Sequence, residues 1–152
     1  MLILAIDPGP ERSGIVRYDP ERSTLRPEIM ENPDLLRWLR LKPAGYESCV
    51  VAIEMIASYG MPVGKEVFAT CVWIGRFVEA CPEPDAVRLI PRLAVKLHLC
   101  RSARAKDANI WRALLDRFGP VGTKAAPGKL YGVRSHARAA LALAVTVADG
   151  AA

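Results

Sequence analysis

The sequence predicts an α/β protein built on a mixed five-stranded sheet, its first three strands antiparallel, with helices on both faces. Three observations carry that reading. Residues 2–6 and 49–54 are almost wholly apolar runs, as strands covered on both faces are. Strand-like segments come three in succession and then alternate with helical ones, an order that ends in helices and implies a mixed sheet. The last helical segment is apolar nearly all round, so it must pack against the sheet.

The elements follow in order. Residues 2–6 (Leu-Ile-Leu-Ala-Ile) form the first strand, and residues 14–18 form the second. A turn at Asp19-Pro20-Glu21 leads to a third, more polar strand near 23–30. Asn32 or Asp34 is placed to cap a short helix over 34–41 that carries Leu35, Trp38 and Leu39. Residues 49–54 are a fourth strand that ends on Glu54. A long helix then runs from Pro62 or Val63 to about Ala80, with Val63, Val67, Cys71, Ile74 and Val78 at three- and four-residue spacing. Residues 86–90 are the fifth strand, closed by Pro91. Helices follow around 92–99 and over 103–118, the second with Ile110, Leu114 and Phe118 on one face and stopped by Gly119-Pro120. Residues 119–134, with four glycines and two prolines, read as a mobile loop, and the last helix covers 135–148.

With 152 residues the chain suits one domain, residues 1–152, able to bury a sizeable core. No apolar stretch nears the roughly 20 residues needed to cross a bilayer, and Met1–Asp7 reads as a strand and not as a secretion signal. Cys49, Cys71, Cys81 and Cys100 show no paired or zinc-like spacing, so reduced thiols and a cytoplasmic location are expected. Charge is segregated. Residues 1–85 hold 9 Lys/Arg against 13 Asp/Glu, a net −4, while residues 86–152 hold 12 against 3, a net +9. A basic half of this kind suits either a polyanion-binding face or a solvated surface.

Two acidic residues end apolar strands, Asp7 the first and Glu54 the fourth. A lone aspartate before Pro-Gly is most often a turn former. A pair at the ends of central strands asks for more, because a buried carboxylate needs a partner. Neighbouring strands lie about 4.8 Å apart, close enough for both residues to hold one cation, and oxygen donors suit magnesium or manganese. At the start of the last helix, His136 and position 139 are three apart and share a face. A histidine there is ordinarily a helix-start residue with no catalytic duty.

Taken in order, Ile3-Leu4-Ala5-Ile6-Asp7-Pro8-Gly9 with Gly14, Val51-Ala52-Ile53-Glu54, Val95-Lys96 through Ala105-Lys106, and His136 through Ala144 resemble the motifs of the RuvC-type Holliday-junction resolvases. These belong to the ribonuclease-H-like superfamily, and the sequence is more similar to the phage-borne branch. Each match is weak alone; the ordered set spans nearly the whole chain.

The resemblance implies a metal-dependent endonuclease that resolves four-way junctions by paired nicks. It implies two ions per site, magnesium or manganese: Asp7 bridging both, Glu54 holding one, and His136 serving as a ligand or orienting the water. Two ions about 4 Å apart activate water and steady the leaving 3′ oxygen. The family's final motif carries an aspartate where this chain has Ala139. Either aspartate is the native residue and Ala139 is an inactivating substitution, the favoured reading, or the protein is a natural relative that does not cut. Loss of that carboxylate is expected to weaken metal occupancy and slow cleavage while leaving DNA binding largely intact. Branched DNA would be gripped through phosphate contacts by Lys96, Arg101, Arg104 and Lys106, with Arg134 and Arg138 flanking the site. Tyr59, just after Glu54, faces unpaired bases at the crossover or simply packs. The helix over 63–80, with Phe68, Trp73 and Phe77, would also build a twofold homodimer matched to a near-twofold junction.

Fold alone does not decide substrate, so a ribonuclease-H-like nuclease acting on another branched or hybrid substrate stands as one alternative. A junction-binding protein that does not cut is the other, with Ala139 in its favour. An actin-like or sugar-kinase-like phosphate hairpin around Asp7 and Gly9 is disfavoured by the short chain and the lack of a second phosphate motif.

Overall fold

β1 (Ile3–Asp7) lies mid-sheet, and all five of its residues are buried. The computed structural model, which describes residues 1–42 and 45–152, sets β2 (Arg12–Asp19) antiparallel to it and β3 (Thr24–Glu31) antiparallel to β2. On the other side β4 (Val50–Met55) runs parallel to β1, and β5 (Arg88–Pro91) runs parallel to β4. The order across the sheet is β3-β2-β1-β4-β5. The five strands, the antiparallel run of the first three and the mixed character of the sheet match the expectation from sequence.

Side-chain alternation divides the core in two. Ile3 and Ala5 pack under α3 (Arg92–Cys100), α4 (Asp107–Phe118) and α5 (His136–Ala148). Leu4 and Ile6 pack under α1 (Asn32–Arg40) and α2 (Lys65–Ala80). The same period puts Asp7 on the α5 side. In β4, Ala52 belongs to the α5 side and Val51 and Ile53 to the other, so Glu54 joins Asp7. The parallel register runs from Ile3↔Val50 to Ile6↔Ile53, and the next step along each strand is the two carboxylates.

α5 carries nine buried residues, and its alanines let it approach the sheet closely. Closest contact falls at Gly14, where a Cβ would stand 2.3 Å from the His136 carbonyl carbon and 2.4 Å from its oxygen. Gly14 pairs with Asp7 across β1 and β2. The glycine therefore admits the N-terminus of α5 directly beside the acidic strand end.

Four expectations need correction. α1 begins at Asn32, whose side chain caps nothing: it donates to the Gly9 carbonyl at 2.9 Å and accepts from Ser13 Oγ at 2.6 Å, pinning the β1–β2 turn. α2 begins at Lys65, past Pro62 and Val63, and buries Thr70, Ile74 and Phe77. Of the expected stripe, Ile74 is buried and Val78 packs against the same core, Val67 and Cys71 are half-buried, and Val63 lies outside the helix; Thr70 and Phe77 complete the buried face. α4 begins at Asp107, with the Lys106 amide donating to Asn109 Oδ1 at 2.8 Å, because Arg101 turns left-handed (φ 55°) and ends α3. Segment 119–134 is largely exposed but tied down at points: Gly122 bridges Pro127, the Gly128 amide donates to the Val121 carbonyl at 2.8 Å, and Leu130 and Val133 are buried. Two apolar side chains anchored in the core outweigh the glycine content there.

Candidate active site

Asp7, Glu54, His136 and Ala139 line one open cleft at the carboxyl ends of β1 and β4, together with Arg92, Asp107, Trp111 and Arg138. Sequence reasoning had named the first four and Arg138. Each arrives by a separate route. Asp7 and Glu54 are set by strand register, His136 is the first residue of α5, and Ala139 follows one turn later on the same face.

Asp7 is buried, and its Oδ2 stands 2.6 Å from His136 Nδ1. That hydrogen bond is the main reason the imidazole's pKa is raised above 6.5, with partial burial acting against it. An imidazole that spends Nδ1–H on a carboxylate presents Nε2 outward, free to accept a proton or meet a cation. Gly9 supports this placement too: a Cβ there would meet His136 Cε1 at 3.3 Å and Nε2 at 3.4 Å. Both glycines of the opening motif make room for His136.

Glu54 is pushed up to about 7, first by burial and then by the charge of Asp7, with Arg92 pulling the other way. Arg92 Nη1 donates to Glu54 Oε2 at 3.0 Å, and its Nη2 donates to Asp107 Oδ1. Arg138 on the rim sits over Trp111, its guanidinium carbon 4.0 Å from the ring centroid. Placed over a ring, a guanidinium keeps N–H donors available to an anion.

As they stand, no three His, Cys, Asp or Glu side chains among the described residues are grouped as a metal centre. The donor chemistry suits one hard divalent cation between Asp7 and Glu54, with water completing the shell; His136 Nε2 faces away from Asp7 and is placed to orient that water. Ala139 has no donor atom, so the fourth protein ligand that a two-ion centre would draw on is missing.

The remaining predicted residues lie outside the cleft lining. Lys96 is half-buried on α3. Arg101, Arg104 and Lys106 are exposed on the α3–α4 turn, which leads straight to Asp107. Arg134 lines a shallow hollow with Pro27, Glu28 and Ala137 beside β3. Tyr59 is 67% exposed after β4, so it is not packed. Among the described residues none of these six cationic side chains (Arg138 included) forms a salt bridge, whereas Arg12, Arg17, Arg22 and Arg37 in the acidic half all do.

Sequence reasoning missed Arg92, Asp107 and Trp111. The signal for Arg92 was a polar residue at the end of a strand, the rule that selected Asp7 and Glu54, applied there only to acids. At the opposite end of β4, a second hollow holds Cys49, Cys81 and Tyr46. Burial pushes the Cys49 thiol up to about 11 and raises Cys81 as well, so these thiols stay protonated. Among the described residues all four cysteines are free, as expected, and no helix is long and apolar enough to cross a membrane.

No protein-family model matches this sequence, and no curated protein does. Solved structures do. RuvC of Thermus thermophilus superposes with a TM-score of 0.67 at 20% identity, covering 97% of this chain and 93% of that one. T. thermophilus RuvC in complex with a Holliday junction substrate gives 0.70 at 21% identity, with the same coverage. The fold is that of RuvC. Coverage of both chains is nearly complete, so the RuvC-like architecture takes in every element of the sheet and all five helices. The ribonuclease-H-like sheet expected from sequence is therefore present.

Proposed function

We propose that this protein is a structure-selective DNA endonuclease of the RuvC kind, directed at four-way junctions, whose centre lacks one carboxylate. The observation that carries the reading is the pairing of Asp7 and Glu54 at adjacent strand ends with His136 bonded to Asp7, beneath a basic rim. One RuvC with this fold is seen with a Holliday junction substrate, which supports the choice of branched DNA.

Asp7 and Glu54 would hold the divalent ion, magnesium or manganese, with His136 orienting the water. Once bound, such an ion eases water deprotonation and offsets the charge that builds on the phosphorane. The chain's own groups do the rest. Asp7 orients the imidazole, leaving His136 Nε2 to accept a proton from the attacking water. Arg138, held over Trp111, meets a phosphate oxygen near the cleft. Lys96, Arg101, Arg104, Lys106 and Arg134 spread phosphate contacts over the neighbouring arms, giving affinity without sequence reading. Exposed Tyr59 stacks on a base freed at the crossover.

A second reading, a junction-binding protein that does not cut, is favoured by Ala139 and by the capture of Glu54 by Arg92. One experiment separates the two. The present chain and Ala139→Asp are compared on a labelled four-way junction with magnesium or manganese, with linear duplex as control. Paired nicks by the aspartate variant, with binding but little cutting by the present chain, support the nuclease reading. Binding without cutting by both supports the second. Cutting of linear duplex or hybrid in preference to the junction overturns the substrate assignment.

A further inference from the structure

Arg92 is a guanidinium set into the acidic floor of the cleft. It opens α3 directly after β5, and the register Glu54↔Ile90 and Met55↔Pro91 delivers it beside the end of β4. One arm reaches Glu54 at 3.0 Å on β4, and the other reaches Asp107 on α4. The fork therefore joins two elements across the cleft, and its side chain remains 28% exposed. A guanidinium has five N–H donors, so donors remain after these two bonds.

Charge counting gives this position its meaning. Asp7, Glu54 and Asp107 bring three carboxylates to one cleft, and the alanine at 139 offers none. A second divalent ion would have to take Glu54 from Arg92 and find no carboxylate at 139. Arg92 already holds a fixed positive charge against Glu54, and it cannot be deprotonated at any working pH. We propose that Arg92 stands in for the second cation: the cleft takes up one divalent ion, and the guanidinium supplies the remaining positive charge to the scissile phosphodiester. Asp107 is the tether that aims it. This rests on the nuclease reading of the cleft, but it makes a claim about ion number that does not depend on junction preference.

The test is a manganese titration of the full chain without DNA, read by electron paramagnetic resonance, beside junction binding in EDTA. The parent chain is expected to bind one Mn2+ per chain. Arg92→Gln removes a neighbouring positive charge and frees Glu54, so manganese should bind about tenfold more tightly, as one charge near a protein surface allows. Junction affinity should fall about tenfold in the same variant, as expected for losing a charged phosphate contact. Arg92→Lys should stay close to the parent in manganese affinity and lie between parent and glutamine variant in junction binding.

Asp107→Asn, at an 86% exposed side chain, is the variant that keeps the test decisive should Arg92→Gln fail to fold. It should raise junction dissociation severalfold with manganese still at one per chain. A purely structural Arg92 would lower melting temperature in Arg92→Gln and leave manganese affinity unchanged, and that result overturns the proposal. So does a parent chain that binds two Mn2+. Loss of junction preference with one Mn2+ per chain and the expected Arg92 effect would sink the substrate assignment and leave this inference standing.

Discussion

Glu54 sits between opposing influences: burial and Asp7 favour its neutral form, and Arg92 favours its charge. Its folded pKa of about 7 exceeds the 4.5 of the free side chain, so the folded state holds this proton more tightly than the unfolded state does. The stabilisation is fully present below about pH 4.5 and is lost as pH rises through about 7, a change of roughly 3 kcal/mol. His136 acts in the same direction. Its pKa is raised above 6.5, so its contribution is full below 6.5 and is lost as pH rises through the raised value. In EDTA, the urea midpoint should therefore decline from about pH 5 to pH 8, and Glu54→Gln should flatten the part below pH 7. A flat parent profile would contradict the buried-carboxylate account.

Ala139→Asp belongs at the same scale. It adds a carboxylate to a cleft that already crowds Asp7 and Glu54. Like charge at close range should cost the metal-free protein about 1 kcal/mol, or roughly 2–4 °C in melting temperature. Manganese should then raise the melting temperature of the aspartate variant more than that of the parent. Calorimetric scans with and without manganese read both effects.

At the scale of elements, the approach of α5 to β2 positions His136, and Gly14 permits it. A methyl group at Gly14 would meet three backbone atoms within 2.6 Å: the His136 carbon and oxygen and the Ala137 nitrogen. Backbone in a packed helix cannot yield by that much, so Gly14→Ala should destabilise by about 2–4 kcal/mol and displace His136 from Asp7. Gly75, inside α2, is the control: a Cβ there meets nothing within 4 Å. Gly75→Ala should stabilise by up to about 1 kcal/mol through helix propensity alone. Chemical denaturation of the two variants checks the contrast, and equal effects would refute the close-approach argument.

For the whole molecule, the unequal charge of the two halves leaves a basic surface on the α3–α4 turn. Arg92, Arg112 and Arg117 of the basic half pair with carboxylates, while Arg101, Arg104 and Lys106 form no salt bridge among the described residues. Junction affinity should fall steeply with salt. Neutralising Arg101, Arg104 and Lys106 together should lower the log–log slope by about 2–3, measured from 50 to 200 mM salt. On the other side of the molecule, α2 exposes Phe68 and Val72, each 62% accessible, one helical turn apart. The twofold dimer that the sequence resemblance implies would bury this pair. Phe68→Glu should shift the protein from dimer to monomer in sedimentation and turn paired nicks into independent single ones.

The sequence by itself determined the strands, the antiparallel run of the first three and the two strand-end carboxylates, because apolar runs and turn residues are local signals with a short period. It also determined the shared face of His136 and position 139, which is a matter of helix geometry within one turn. Tertiary structure alone decided that Phe77 joins Ile74 on the buried face of α2, since both are selected by the seam against α1 and the sheet. It decided that residues 119–134 are tied down near their end, because Leu130 and Val133 find their core only across the fold. It decided what Asn32 does, since Gly9 and Ser13 reach it only once β1 and β2 have turned back on themselves. Above all it brought Arg92 to Glu54, 38 residues apart, and to Asp107 on another helix. Parallel pairing sets such neighbours through register between distant strands, and no local pattern encodes that register.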